Sequence, residues 1–177
     1  MTAEDDFERF AVAAWPRLHR SAYLLTGDHH LAEDLAQTAL ARTYASWRRV
    51  RRSDALAYAR RVLVNANIDR LRRRRSHEVP GGAVDATLVS RAQPGAGADE
   101  LAGDRDELMR LLAGLTDRER RVVVLRHYFD LSEAEVAREL KIAPGTVKST
   151  LSRALRKLRV ADGSDVEDDH FVKGDLR

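Results

Sequence analysis

Residues 132–158, SEAEVARELKIAPGTVKSTLSRALRKL, constrain the fold more tightly than any other stretch. Ser132 followed by Glu135 is a capping box, which defines a helix start. Val136, Ala137 and Leu140 give that helix an apolar face. Lys141, Ile142 and Ala143 are too few for anything but a tight turn. Pro144 suits the first position of a second helix, where a missing N–H costs nothing. In the second helix Val147, Leu151, Ala154 or Leu155, and Leu158 recur every three to four residues, a buried stripe of helical period. Its other face carries Thr146, Lys148, Ser149, Ser152, Arg153, Arg156, Lys157 and Arg159, and no acid. A helix held to its own domain by one side and free of negative charge on the other is suited to the major groove of DNA. The plainer alternative is a basic amphipathic helix in an αα-hairpin.

Charge along the rest of the chain points the same way. The 177 residues carry a net charge of +3, but unevenly. Residues 29–75 hold 12 Arg against 4 acids, and residues 104–160 hold 13 Lys or Arg against 9 acids. The stretch between them and the last 17 residues are net acidic. Two basic blocks suggest two contacts with a polyanion, with binding that falls steeply as salt rises. There is no cysteine, which excludes disulfides, zinc–thiolate sites and thiol catalysis. No apolar run approaches a membrane span and the N-terminus, MTAEDDFERF, is acidic and unlike a signal peptide, so membrane insertion is not expected and a cytoplasmic location is.

The pattern elsewhere is helical, with no convincing strand. Phe7, Phe10 or Ala11, Ala14, Leu18, Ala22 and Leu25 fit a helix over 5–26, which Pro16 should kink or restart near Trp15. Gly27 can close it and Asp28 can cap the next, about 29–48, whose inner stripe is Leu31, Leu35, Ala39 or Leu40, Thr43 or Tyr44, and Trp47. WRRVRRSD, residues 47–54, reads as a basic loop. A third helix, about 54–74, has Leu56, Ala59, Leu63, Ala66 and Arg70 or Leu71 on its inner side. Tyr58, Arg61, Asn65, Asp69 and Arg72 lie on a neighbouring strip. Residues 76–103 hold half of the ten glycines and two of the four prolines and read as a flexible linker. A short helix from Asp104 follows, with Leu108, Leu111, Leu112 and Leu115 on its core side. A second capping box, Thr116 with Glu119, opens a helix through Phe129. The expected fold is therefore all-α: two small helical domains, 1–75 and 104–160, joined by a flexible linker, the second a helix-turn-helix domain, with an acidic tail over 161–177.

Two segments carry a family resemblance. AYLLTGDHHLAEDLAQTALARTYASW with AYARRVLVNANIDRLRRRR resembles the second conserved region of bacterial RNA polymerase sigma factors of the extracytoplasmic-function type. LTDRERRVVVLRHYFDLSEAEVARELKIAPGTVKSTLSRALRKLR resembles their fourth. The resemblance implies a factor that directs core polymerase to specific promoters through the −35 and −10 elements. Glu33, Asp34, Leu35 and Gln37 match the helix that docks on the clamp helices of the largest polymerase subunit, although such residues are commonly just a solvated face. The 47–54 loop and the next helix match the part that opens and reads the −10 element. Capturing an unstacked base takes a pocket, an aromatic or amide to read it, and cations for the backbone. Arg48, Arg49, Arg51, Arg52, Tyr58, Arg61 and Asn65 could supply these, with Asn65 the sharpest candidate for the base edge, and Arg72 to Arg75 could hold phosphates. Asp69 reads as structural, paired with a nearby arginine. Thr146, Lys148, Ser149, Ser152, Arg153 and Arg156 would face the −35 element. The pattern departs from the commonest one where Thr150 replaces a frequent arginine, Ser152 a larger residue, and Ala143 the usual Ser at the helix cap.

Competing functions find less support. No P-loop, dinucleotide fingerprint or HExxH is present, the six histidines show no ligand spacing, and neither catalytic residues, metal nor cofactor is expected. A free-standing helix-turn-helix regulator binding operator DNA as a dimer would account for the C-terminal half but not for the second basic block. The resemblance also allows an anti-sigma partner, and the acidic tail invites the idea that it shields the neighbouring basic surface.

Overall fold

The computed structural model describes residues 2–78 and 100–163, all helical or connecting, with no strand among them. Helices enter the expected linker, 76–103, from both ends, since α3 runs to Glu78 and α4 starts at Glu100, ahead of the expected start at Asp104; the stretch between them, 79–99, and the acidic tail beyond Gly163 lie outside the described residues. The elements are α1 (Ala3–Thr26), α2 (His29–Ala45), a 3₁₀ turn (Arg52–Asp54), α3 (Ala55–Glu78), α4 (Glu100–Ala113), α5 (Asp117–Val123) continued by a wider π-turn (Val124–Tyr128), α6 (Glu133–Leu140) and α7 (Pro144–Ala161).

Three helix starts share one chemistry. Thr2, Thr116 and Ser132 each accept a hydrogen bond from the backbone three residues on, and Asp5, Glu119 and Glu135 each accept one back. Two of these boxes are legible in the sequence; the one at Thr2 begins α1 earlier than the apolar stripe suggests. Gly27, at φ 71°, closes α1, and the Asp28 carboxylate caps α2 by accepting from the Leu31 N–H at 3.0 Å. Pro16 does not interrupt α1, so the helix does not restart near Trp15. The carbonyl that Pro16 leaves without its helical partner belongs to Val12, and Val12 is 72% exposed, so water can satisfy it.

Packing corrects other details. α2 stops at Ala45, short of Arg48, and its chain leaves through turns that bury Trp47. α3 buries Ala55, Ala59, Leu63, Val64, Asn67 and Leu71, while the expected Leu56 and Ala66 are only half-buried. In α4 the core side is Met109 and Leu112, with Leu108 39% exposed. The helix expected to run through Phe129 widens in its last turn, where the Phe129 N–H donates to the Val124 carbonyl five residues back.

The two helical groups do not stay apart. Buried apolar side chains form one continuous cluster from Ala14, Leu18 and Ala22 of α1 through Leu63 of α3 to Leu125, Val136 and Val147 of the C-terminal helices. At its middle lies Arg120, 1% exposed. Its Nε and Nη2 donate to the Leu112 carbonyl at 3.0 and 2.5 Å, and Nη1 donates to the Leu25 carbonyl at 3.5 Å. A guanidinium thus meets the last turns of both α4 and α1, where the helix dipoles are negative. Burial lowers its pKa, opposed by the charge of Asp117.

Candidate nucleic-acid interface

The turn between α6 and α7 is built as its sequence requires. Lys141 takes the left-handed conformation (φ 55°, ψ 46°), and its N–H and that of Ile142 both donate to the Ala137 carbonyl. Pro144 opens α7, and Ala143 supplies no side-chain cap. Val147, Leu151 and Ala154 are buried, with Leu155 and Leu158 half-buried beside them. That stripe turns Lys148, Ser149, Ser152, Arg153 and Arg156 outward, all exposed, with Thr146 half-exposed at the helix start. The Ser149 hydroxyl donates to the Thr146 carbonyl at 3.2 Å. Thr150 is buried, so the residue standing where the family often has arginine faces the core instead of a groove.

Lys157 belongs to the scaffold. Its ammonium donates to Glu119 at 2.8 Å and so ties the end of α7 to the start of α5. Burial pushes the Glu119 carboxyl up, but the hydrogen bonds from Lys157 and from Thr116 outweigh it and hold it below the usual carboxylate range.

The second candidate surface lies on α3 and the loop before it. Arg61, Asn65 and Arg72 are exposed along one strip of α3, with Asp69 beside them. Asp69 pairs with Arg72 at 3.6 Å, as its spacing suggests. Tyr58 is half-buried and its hydroxyl is 2.9 Å from the Ser46 hydroxyl, which pins the loop to the helix. Arg48, Arg49 and Arg51 are exposed, but Arg52 is engaged within the fold. Its guanidinium lies 4.0 Å from the Trp47 ring centroid, pairs with Asp6, and donates to the Trp47 carbonyl at 2.7 Å and the Val50 carbonyl at 3.2 Å. Trp47 in turn packs among Phe7 and Phe10, so Arg52 locks the loop onto an aromatic cluster. A run of arginines in sequence cannot show which one bonds back to its own loop.

On α2, Glu33, Asp34 and Gln37 are exposed on one surface, and the Gln37 amide donates to Glu33 at 3.2 Å. Leu35, grouped with them by resemblance, is 6% exposed and packs in the core. Asn67 was missed by the sequence reading: it is buried, and its amide oxygen accepts from Arg70. No group of acidic, histidine or cysteine side chains among the described residues could hold a metal ion, and no described helix is long and apolar enough to cross a membrane.

Comparison with known proteins matches residues 12–77 to sigma-70 region 2 and residues 105–158 to sigma-70 region 4. The chain belongs to the extracytoplasmic-function sigma factors of bacterial RNA polymerase. It is 42% identical over 155 residues to the RNA polymerase sigma-E factor of Streptomyces coelicolor, covering 87% of this chain and 84% of that one. It is 32% identical over 158 residues to the ECF RNA polymerase sigma factor SigL of Mycobacterium tuberculosis, covering 87% and 85%. Among solved structures it resembles the Bartonella quintana sigma factor RpoE, crystallised with the anti-sigma factor NepR, with a TM-score of 0.68 at 25% identity over 91% of this chain and 99% of that one. A sigma factor of this type binds core RNA polymerase and promoter DNA and directs initiation at specific promoters. Nothing in the structure or its relatives favours the dimeric operator-binding alternative.

Proposed function

We propose that this sigma factor grips its promoter at two places with the residues described above, within domains spanning 1–75 and 104–160. α7 enters the −35 major groove. Arg153 and Lys148 reach guanine edges or phosphates, Ser149 and Ser152 make less discriminating contacts, and Arg156 and Thr146 hold the backbone. On α3, Asn65 reads a base of the displaced −10 strand, with Arg61, Arg72 and the loop arginines Arg48, Arg49 and Arg51 on phosphates. Arg52 and Tyr58 act by holding the loop. Glu33, Asp34 and Gln37 meet the clamp helices of the largest polymerase subunit, with Leu35 supporting them from beneath. The factor supplies recognition without catalysis of its own, works in the cytoplasm, and is a candidate for capture by an anti-sigma protein.

The observation that carries this reading is the exposed, acid-free face of α7 on an otherwise buried helix. Run-off transcription with core polymerase over a promoter library tests it. Transcripts should depend on both elements. Tight dimeric binding to duplex DNA without core, and no transcript with core, would overturn it.

A further inference from the structure

The arginines where α3 meets the C-terminal helices divide into matched and unmatched ones. Arg60 is matched. Its Nε lies 3.1 Å from both carboxylate oxygens of Glu139 on α6, and Nη2 lies 2.7 Å from Oε2. One cation meets one anion in a forked, part-buried pair that needs no further partner.

Nearer the end of α3 the balance fails. There Arg70 and Arg75 meet the first turns of α5, which carry Asp117, Arg118 and Arg121. Arg75 pairs with Asp117 at 2.9 Å, so the two stretches of helix are held side by side. The Asp117 side chain is 9% exposed, and several arginines share it. Its charge also reaches Arg70, Arg120 and Arg121, and Asp28 adds a second acid for Arg70. Arg120 directs its donors to the Leu112 and Leu25 carbonyls. Arg121 has nothing comparable. It is half-buried, yet its guanidinium makes no hydrogen bond or ion pair among the described residues. Burial lowers its pKa; Asp117 opposes that, and the like charges of Arg75 and Arg118 lower it further. A partly dehydrated cation beside two like charges is a costly arrangement unless an anion reaches it.

Arg70 is prepared from the other side. Its Nε and Nη2 donate to the amide oxygen of the buried Asn67 at 3.3 and 3.1 Å. That fixes the plane of the guanidinium and leaves Nη1 for another acceptor. Burial lowers the Arg70 pKa as well, against Asp117, and the charge of Arg74 lowers it further.

We propose that Arg70, Arg118 and Arg121, grouped around the Arg75–Asp117 pair, form a binding site for a small oligophosphate anion. Planar guanidiniums fork on phosphate oxygens as they do on carboxylates. A single tetrahedral anion is satisfied by one fork. Three guanidiniums from two helices suit a chain of linked phosphates. Duplex DNA is a poorer occupant. Its phosphate ridge reaches exposed cations such as Arg72 and Arg153, whereas Arg70 and Arg121 are half-buried and a small anion can lie between the helices. Arg70, Arg118 and Arg121 belong to neither proposed set of DNA contacts, so the site and the promoter grips are tested apart.

Isothermal titration of the full-length free factor with inorganic tripolyphosphate, at low ionic strength, tests the site. One tripolyphosphate should bind per chain, and its affinity should fall as salt rises. Orthophosphate and sulfate should bind roughly ten-fold more weakly or worse. Arg121→Gln and Arg70→Gln should each weaken tripolyphosphate by about ten-fold or more, the loss expected of a hydrogen bond to a charged group. Arg153→Ala, on the exposed face of α7, and deletion of residues 164–177 should each change it by less than about two-fold. Circular dichroism checks that the variants keep their helices. If the two Gln variants lose them, Arg118→Gln is judged by the same criterion, since Arg118 is exposed and has no bond within the fold to lose. Uptake of several tripolyphosphates with no common stoichiometry would reveal a counter-ion atmosphere and overturn the site. So would arginine variants that bind like the parent. An affinity gain of about ten-fold on deleting 164–177 would give the site to the acidic tail, and the oligophosphate assignment would fall with it.

Discussion

The two basic regions use their cations in opposite ways. α7 keeps Lys148, Arg153 and Arg156 on the surface and out of ion pairs among the described residues, because its buried stripe, with Lys157 pairing to Glu119, already holds it to its domain. The 47–75 region divides its arginines. Arg52 staples a loop to an aromatic cluster, Arg60 and Arg75 cross to the other domain, and Arg61 and the remaining loop arginines stay at the surface. A regular helix can present a face by periodicity alone. A loop has no period, so part of its charge goes into holding its own shape.

If that contrast is right, Arg153→Ala should cost binding and not stability. Losing one bidentate base contact is worth roughly 1–3 kcal/mol, or about 5- to 150-fold in −35-dependent transcription. The melting temperature should not move. A matching drop in melting temperature would show that Arg153 is part of the fold.

Asn65→Ala comes next in size. Loss of an amide reading a flipped base should reduce open-complex formation on duplex promoters several-fold, on the order of 1–2 kcal/mol, and spare initial duplex binding. Gel shifts on duplex against pre-melted templates separate the steps. Equal losses on both would remove Asn65 from its role.

Arg52→Ala should do what Arg153→Ala does not. It removes a cation–π contact and hydrogen bonds at a partly exposed site, costing about 1 kcal/mol of stability, read as a lowered urea midpoint, along with slower opening. Unchanged stability would return Arg52 to the surface cations.

Smaller effects test the scaffold under each grip. Lys141→Gly should stabilise the helix-turn-helix by up to ~1 kcal/mol, since only the left-handed cap opposes lysine there. Acid should loosen the start of α5. The Glu119 carboxyl is held below its ordinary value in the folded protein, so its contribution is present above the unfolded pKa and lost as pH falls through the folded one. Helix signal at 222 nm, followed from pH 6 to pH 3, should fall later in a Glu119→Gln variant relative to its own starting value.

Much of the fold was legible because its signals are local. A capping box, a three-residue turn, a proline at a helix start and an apolar stripe act within one or two turns of chain, so Ser132, Thr116, Pro144 and Val147 could be assigned from neighbours alone. The exposed face of α7 and the α3 strip follow from the same periodicity. The tie of the Tyr58 hydroxyl to Ser46, twelve residues away, is not legible in the sequence, because it depends on how the loop folds back. Leu35 was grouped with its exposed neighbours by family likeness although its own period places it inside. Asn67 and Arg120 were passed over because a polar residue on an inner stripe reads as a fault until its partner is seen.

The sequence by itself determined an all-α chain with two basic halves and a DNA-reading hairpin, since spacing and capping need no distant partner. Only the tertiary structure decided that the halves share one apolar core, that Arg52 ties its loop to the aromatic cluster, and that Arg60 and Glu139, 79 residues apart, form a part-buried pair. Such contacts depend on where two surfaces meet, and no period along the chain records that.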